Sequence, residues 1–148
     1  MDRRLFWLRA SYWVGAILDG IWVVPMLYPS IGGKLFGIED FNPGGEYRYA
    51  MAVGAALMAG WTVLLLWADR RPVERRTVLL LTLCPVMVGL DIASYLLVYY
   101  DIVPMDRMIG SWIQTGLVHV LFIYGYVVSR NLEPEYIQDA RLAAEGQS

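Results

Sequence analysis

Cysteine is nearly absent. Cys84 stands alone, which excludes an intrachain disulfide, a thiolate zinc cluster and CxxC redox chemistry. Charge is also scarce: charged residues make up 18% of the 148-residue chain, against about 25% in soluble domains. The 12 basic and 14 acidic side chains leave a net charge of −2, so the chain has no basic field of the kind that holds nucleic acid. Locally recognisable catalytic motifs are missing as well. There is no P-loop, GxGxxG, GxSxG or HExxH pattern, and Gly32-Gly33-Lys34 lacks the strand and helix that a phosphate loop requires. The single histidine, His119, and the dispersed carboxylates show no metal-ligand spacing. Neither a metal nor a cofactor is expected, and enzyme activity has no motif to support it.

What the chain has in quantity is hydrophobicity, 57% of its residues with a mean hydropathy of +0.45. Four windows are long enough to cross about 30 Å of hydrocarbon: residues 10–28, 49–68, 77–100 and 108–129. Of all the charged side chains only Asp19 and Asp91 fall inside them. Backbone groups in lipid must be satisfied within the segment, so each window predicts a helix. The expected fold is all-α, one membrane domain forming a four-transmembrane-helix antiparallel bundle. The first window is too long for a signal peptide, carries Asp19 and lacks an Ala-x-Ala site, so it is expected to be retained.

Orientation follows from the basic residues. Arg3, Arg4, Arg9, Arg70, Arg71, Arg75, Arg76, Arg130 and Arg141 fall on one side, and Lys34, Arg48 and Arg107 on the other. The positive-inside rule then puts both termini in the cytoplasm of a prokaryotic inner or plasma membrane. Tyr12, Trp13, Trp67 and Tyr126 suit the inner interface, and Tyr28, Tyr47, Tyr99, Tyr100 and Trp112 the outer one. Between the first two windows, Ile31, Leu35 and Ile38 at helical spacing predict a short interfacial segment, followed by the turn Asn42-Pro-Gly-Gly45. Such a segment can anchor the chain or cover a cavity. Residues 130–148 are expected to form a frayed cytoplasmic tail.

Two features inside the windows suggest more than a span. Ala52, Ala56 and Gly60 recur every four residues, which lets two backbones approach closely, either within the chain or in a homodimer. The second feature is polar. At 1.5 Å per residue, Asp19 and His119 lie roughly 14 and 15 Å from the inner ends of their helices and Asp91 roughly 21 Å. Ser11, Gly15 and Asp19 share one helix face; Asp91, Ser94 and Tyr95 a second; and Ser111, Thr115, His119 and Tyr126 a third, with Gln114 adjacent. A mid-membrane carboxylate needs a partner, and matched depth predicts that Asp19 and His119 meet, with Asp91 about a turn away. Asp19, Asp91, His119, Tyr95, Gln114 and Thr115 are therefore the candidate ligand-binding or proton-relay residues. A purely structural network that fixes helix register uses the same residue types.

The order of Pro29…Leu35-Phe-Gly37, Glu46-Tyr-Arg-Tyr49 leading into Gly54…Gly60, and Ala68-Asp-Arg-Arg-Pro-Val-Glu-Arg-Arg76 resembles the DoxX-like small four-helix membrane proteins. The resemblance implies an integral membrane protein of a group in which some members are linked to quinone-coupled or redox assemblies. A looser likeness, of arrangement and not of motif, is to the emopamil-binding (EXPERA) proteins. It implies buried acids, here Asp19 and Asp91, facing a lipophilic pocket. Three readings stay open: a binding protein or isomerase for a lipophilic small molecule, an oligomeric small transporter, and an accessory subunit of a membrane complex. Membrane lipid is the expected partner in all of them.

Overall fold

Four apolar segments in lipid must close their backbone hydrogen bonds within themselves. The structure, a computed structural model describing residues 3–38, 40–130 and 132, contains four such helices: α1 (Arg3–Leu27), α3 (Gly45–Asp69), α4 (Thr77–Tyr99) and α5 (Met105–Ser129). A short helix, α2 (Pro29–Phe36), follows α1. No strand occurs among the described residues. All four long helices are apolar enough to cross a membrane, and their outward faces carry exposed Ile21, Leu57, Ile92 and Leu117, as a chain solvated by lipid requires. The molecule is an all-α four-helix bundle and an integral membrane protein. The expected tail lies outside the described residues except for Arg130 and Leu132.

Three helices start before their apolar windows, at Arg3, Gly45 and Met105. Hydropathy finds only the part of a helix inside hydrocarbon, whereas the helix itself continues to where its polar side chains meet water. A second departure from a simple span lies in α4, where Thr82–Met87 is wound as a π-helix around Pro85. Proline has no N–H to give and its ring collides with the carbonyl one turn back, so the wider winding accommodates it.

One end of the bundle, the arginine end, holds Arg9, Asp69, Pro72, Arg76 and Ser129. Here Arg9 meets Asp69 through both Nε and Nη2, each at 2.9 Å, and the Trp13 indole donates to the same carboxylate at 3.1 Å. The Tyr12 hydroxyl donates to the Pro72 carbonyl at 3.2 Å. The Arg75 guanidinium stacks on the Trp67 ring at 3.5 Å and donates to the Trp67 carbonyl. The packed core is on this side, with Leu8, Tyr12, Leu65, Leu79, Leu83 and Phe122 buried together.

α1 is the central helix, packed on α3 along one side and α5 along the other, while α4 is held mainly through α5. Its approach to α5 depends on missing side chains. The Ser11 hydroxyl lies 3.0 Å from the Trp7 carbonyl and 3.2 Å from the Leu121 carbonyl across the interface. A Cβ at Gly125 would collide with that hydroxyl, and one at Gly15 would come within 2.7 Å of Phe122. Gly125→Val is expected to lower stability by about 1–3 kcal/mol, as overpacking does. Gly116→Val, on the same helix with open space around it, should change almost nothing, and thermal unfolding of both variants in the same detergent checks the difference.

Candidate functional site

Toward the opposite end the helices diverge. α3 and α4 make only sparse contact, and the bond that ties them, from the Trp61 indole to the Thr82 hydroxyl at 3.1 Å, lies on the side of the packed core. Beyond it opens a cavity of about 640 Å³, within the size range of small-molecule sites. Phe122, buried to 1%, and Gly15 form part of its wall next to the core. Its sides include Trp22, Met26, Met58, Val86, Leu90 and Met108, contributed by all four long helices.

The segment after α1 reaches this cavity through Gly32, Gly33, Phe36, Ile38 and Phe41. The sequence admitted either an anchor or a cover, and these residues form part of the wall. Two details fix the segment. Phe36 stacks on Trp22 of α1 with ring centres 6.4 Å apart. Gly37 ends α2 in the left-handed region at φ 69°, where a side chain would be strained, and a Cβ there would come within 3.0 Å of the Arg107 guanidinium near the start of α5.

The polar groups on the wall are few. Asp19, Asp91, Gln114 and Thr115 all line the cavity, with Thr82, Ser94 and Ser111 beside them. The pairing differs from the one that depth alone predicts. His119 Nε2 is 3.4 Å from Asp91 Oδ2, and its Nδ1 donates to the Thr115 carbonyl at 2.9 Å. Both ring nitrogens are thus engaged without Asp19. The Asp19–His119 contact is therefore corrected to Asp91–His119.

The reason lies in the direction of side chains along antiparallel helices. Side chains lean toward the N-terminus of their own helix. Asp19 on α1 leans toward the arginine end and His119 on α5 leans away from it, so two residues at equal depth diverge. Asp91 lies farther from the arginine end but leans back toward it, which brings it to His119. Winding six residues as a π-helix also shortens the climb from Thr77 to Asp91 below that of a regular α-helix.

Ser94 extends the Asp91 side of the wall. It donates to the Asp91 carbonyl at 2.8 Å and accepts from the Trp112 indole at 2.9 Å, tying α4 to α5. Tyr95 does not join the site: it is 61% exposed and stacks on Tyr99. Its position next to Ser94 turns it to the outer surface. Ala52, Ala56 and Gly60 are also exposed. Of the two alternatives, packing within the chain is corrected, because the neighbouring positions do so: Ala55 is only 2% exposed, and a Cβ at Gly54 would come within 2.9 Å of Met26.

Sequence reasoning missed the apolar wall. Met26, Met51, Met58, Met87 and Met108 all line the cavity, and unbranched thioether side chains adapt to differently shaped neighbours. The signal was available in seven methionines among the 148 residues, concentrated in the spans. The chain matches no family model, no curated protein and no solved structure.

Proposed function

We propose that this integral membrane protein binds one lipophilic small molecule in the cavity between α1, α3, α4 and α5. The observation that carries this reading is the cavity: about 640 Å³, walled almost wholly by Met, aromatic and aliphatic side chains, with a few polar groups in fixed places. Empty apolar space of that size in a bundle sacrifices the packing that drives helix association in lipid. A bound molecule restores those contacts. Entry from the bilayer fits the sparse contact between α3 and α4, and the methionines let the wall close around bodies of different shape. Asp91 lines the cavity with the His119 ring behind it at 3.4 Å, a carboxylate–imidazole pairing of the kind that acid–base chemistry on such a molecule uses.

Native mass spectrometry of protein purified in mild detergent tests the reading. One lipophilic adduct per chain is expected. Met58→Trp, which fills the cavity, should remove it, and Leu57→Trp, on the exposed neighbouring position, should keep it. An adduct that survives Met58→Trp would place the molecule elsewhere.

The positive-inside rule gives the arginine end a cytoplasmic position in this reading. In a Cys84→Ala background, Gly44→Cys is then expected to react with an impermeant maleimide in intact cells and Glu74→Cys only after permeabilisation. Labelling of Glu74→Cys in intact cells contradicts the orientation.

A further inference from the structure

The two carboxylates on the cavity wall are not equivalent. Asp91 has His119 against it at 3.4 Å. Asp19 has no hydrogen bond and no ion pair among the described residues, and its oxygens are not sealed inside the protein. A carboxylate at mid-membrane depth without a partner is costly, and such residues are found facing a counter-charge or a site for one. The cationic side chains toward that end of the bundle do not supply it. Arg48 donates to Asn42 and to the Pro43 carbonyl, Arg107 lies against Gly37, and Lys34 on α2 is exposed and does not line the cavity. One turn along α1 from Asp19, Trp22 presents its ring to the same cavity and stacks on Phe36. An aromatic face beside a carboxylate is the environment that best holds an alkylammonium, through a charge-assisted hydrogen bond on one side and ring quadrupoles on the other.

We infer that the cavity's ligand is a lipophilic amine, with its ammonium held by Asp19 beside Trp22 and its apolar body lying among the methionines. This rests on the cavity reading above and narrows it to one chemical class. A fatty acid would bring a second negative charge to Asp19. A neutral alcohol would leave the carboxylate without its counter-ion. Asp91 is not the ammonium site because the His119 ring already lies against it at 3.4 Å.

The experiment compares dodecylamine, dodecanol and dodecanoic acid, identical in tail and different in head. Each is added to the full chain in phosphatidylglycerol nanodiscs, which contain no amine of their own, and one-to-one adducts are titrated by native mass spectrometry. Dodecylamine is expected to bind about tenfold to a hundredfold more tightly than the other two, the range for a hydrogen bond to a charged group. That advantage should vanish in Asp19→Asn and persist in Asp91→Asn. If Asp19→Asn does not fold, Asp19→Ala serves in its place, and the ranking of the three heads on the unaltered protein stands by itself. Equal binding of amine and alcohol overturns the amine assignment and leaves the cavity reading intact. An advantage that follows Asp91 overturns the assignment to Asp19. Saturable binding of none of the three overturns both readings. Repeating the titration in phosphatidylethanolamine nanodiscs separates the two sources of an amine. Competition there identifies the lipid headgroup as an occupant, and undiminished dodecylamine binding identifies a free amine.

Discussion

Arg9→Leu is expected to cost about 3 kcal/mol of stability, which makes it the most damaging single replacement of a charged residue in the bundle. Asp69, at the last turn of α3, is only 7% exposed. It accepts two bonds from Arg9 and one from Trp13, so α1 and α3 are clamped at their arginine ends by one carboxylate. Removing the arginine leaves that charge buried with a single indole donor, and the desolvation penalty is then uncompensated. The magnitude stays at the lower end for a buried pair because the Arg9 side chain is itself 46% exposed and screened by water. The Arg71–Glu74 pair, open on both sides, provides the comparison: Glu74→Ala should change stability by less than about 1 kcal/mol. Steric-trap unfolding in bicelles measures both. An Arg9→Leu loss no larger than that of Glu74→Ala would contradict the clamp.

Phe122→Ala is expected to show two effects at once. The ring is 1% exposed and sits where the packed core meets the cavity, against Gly15 and Leu65. In water-soluble proteins truncating such a ring costs about 3–5 kcal/mol. Here about 2 kcal/mol is expected, because the unfolded reference leaves the ring in lipid, where only packing and no hydrophobic transfer is lost. The second effect concerns the site. Removing the ring extends the cavity toward the arginine end, so the variant should accept alkyl chains several carbons longer than the unaltered protein does. Thermal unfolding reads the first effect and a chain-length series in native mass spectrometry the second. Loss of stability without a change in preferred chain length would show that Phe122 does not bound the site.

The parts of this architecture that a single sequence reveals are those a bilayer enforces. The four spans could be found because every charge except Asp19 and Asp91 is excluded from them, and mid-membrane depth alone marked those two acids and His119. Partner choice could not be found that way. Depth gives a residue's height and not its direction around the helix, and it neglects the lean of side chains along antiparallel helices, so the level pair Asp19 and His119 gave way to Asp91 and His119. Asp69 was hidden for a different reason. It follows an apolar window directly and reads as the first charge of a turn, yet Arg9 and Trp13, some 60 residues earlier in the chain, enclose it. The small-residue stripe allowed packing within the chain or a homodimer face, and its exposure removes the first. Gly54 lies against Met26 of α1 and Ala55 is buried, while Ala52, Ala56 and Gly60 face outward, because small residues recur on neighbouring faces of α3. The cavity itself has no local signature, since its wall is assembled from every long helix and from the segment after α1.

The measurement that tests the central claim most directly is photocrosslinking of the purified protein in nanodiscs with a dodecanol carrying a terminal diazirine, followed by peptide mapping. Adducts are expected on cavity residues such as Trp22, Met58, Leu90 and Met108, and they should be competed by excess unlabelled dodecanol. Adducts confined to the outward-facing Leu57, Ile92 and Leu117, and insensitive to competition, would mean that lipophilic molecules meet this protein only as solvent.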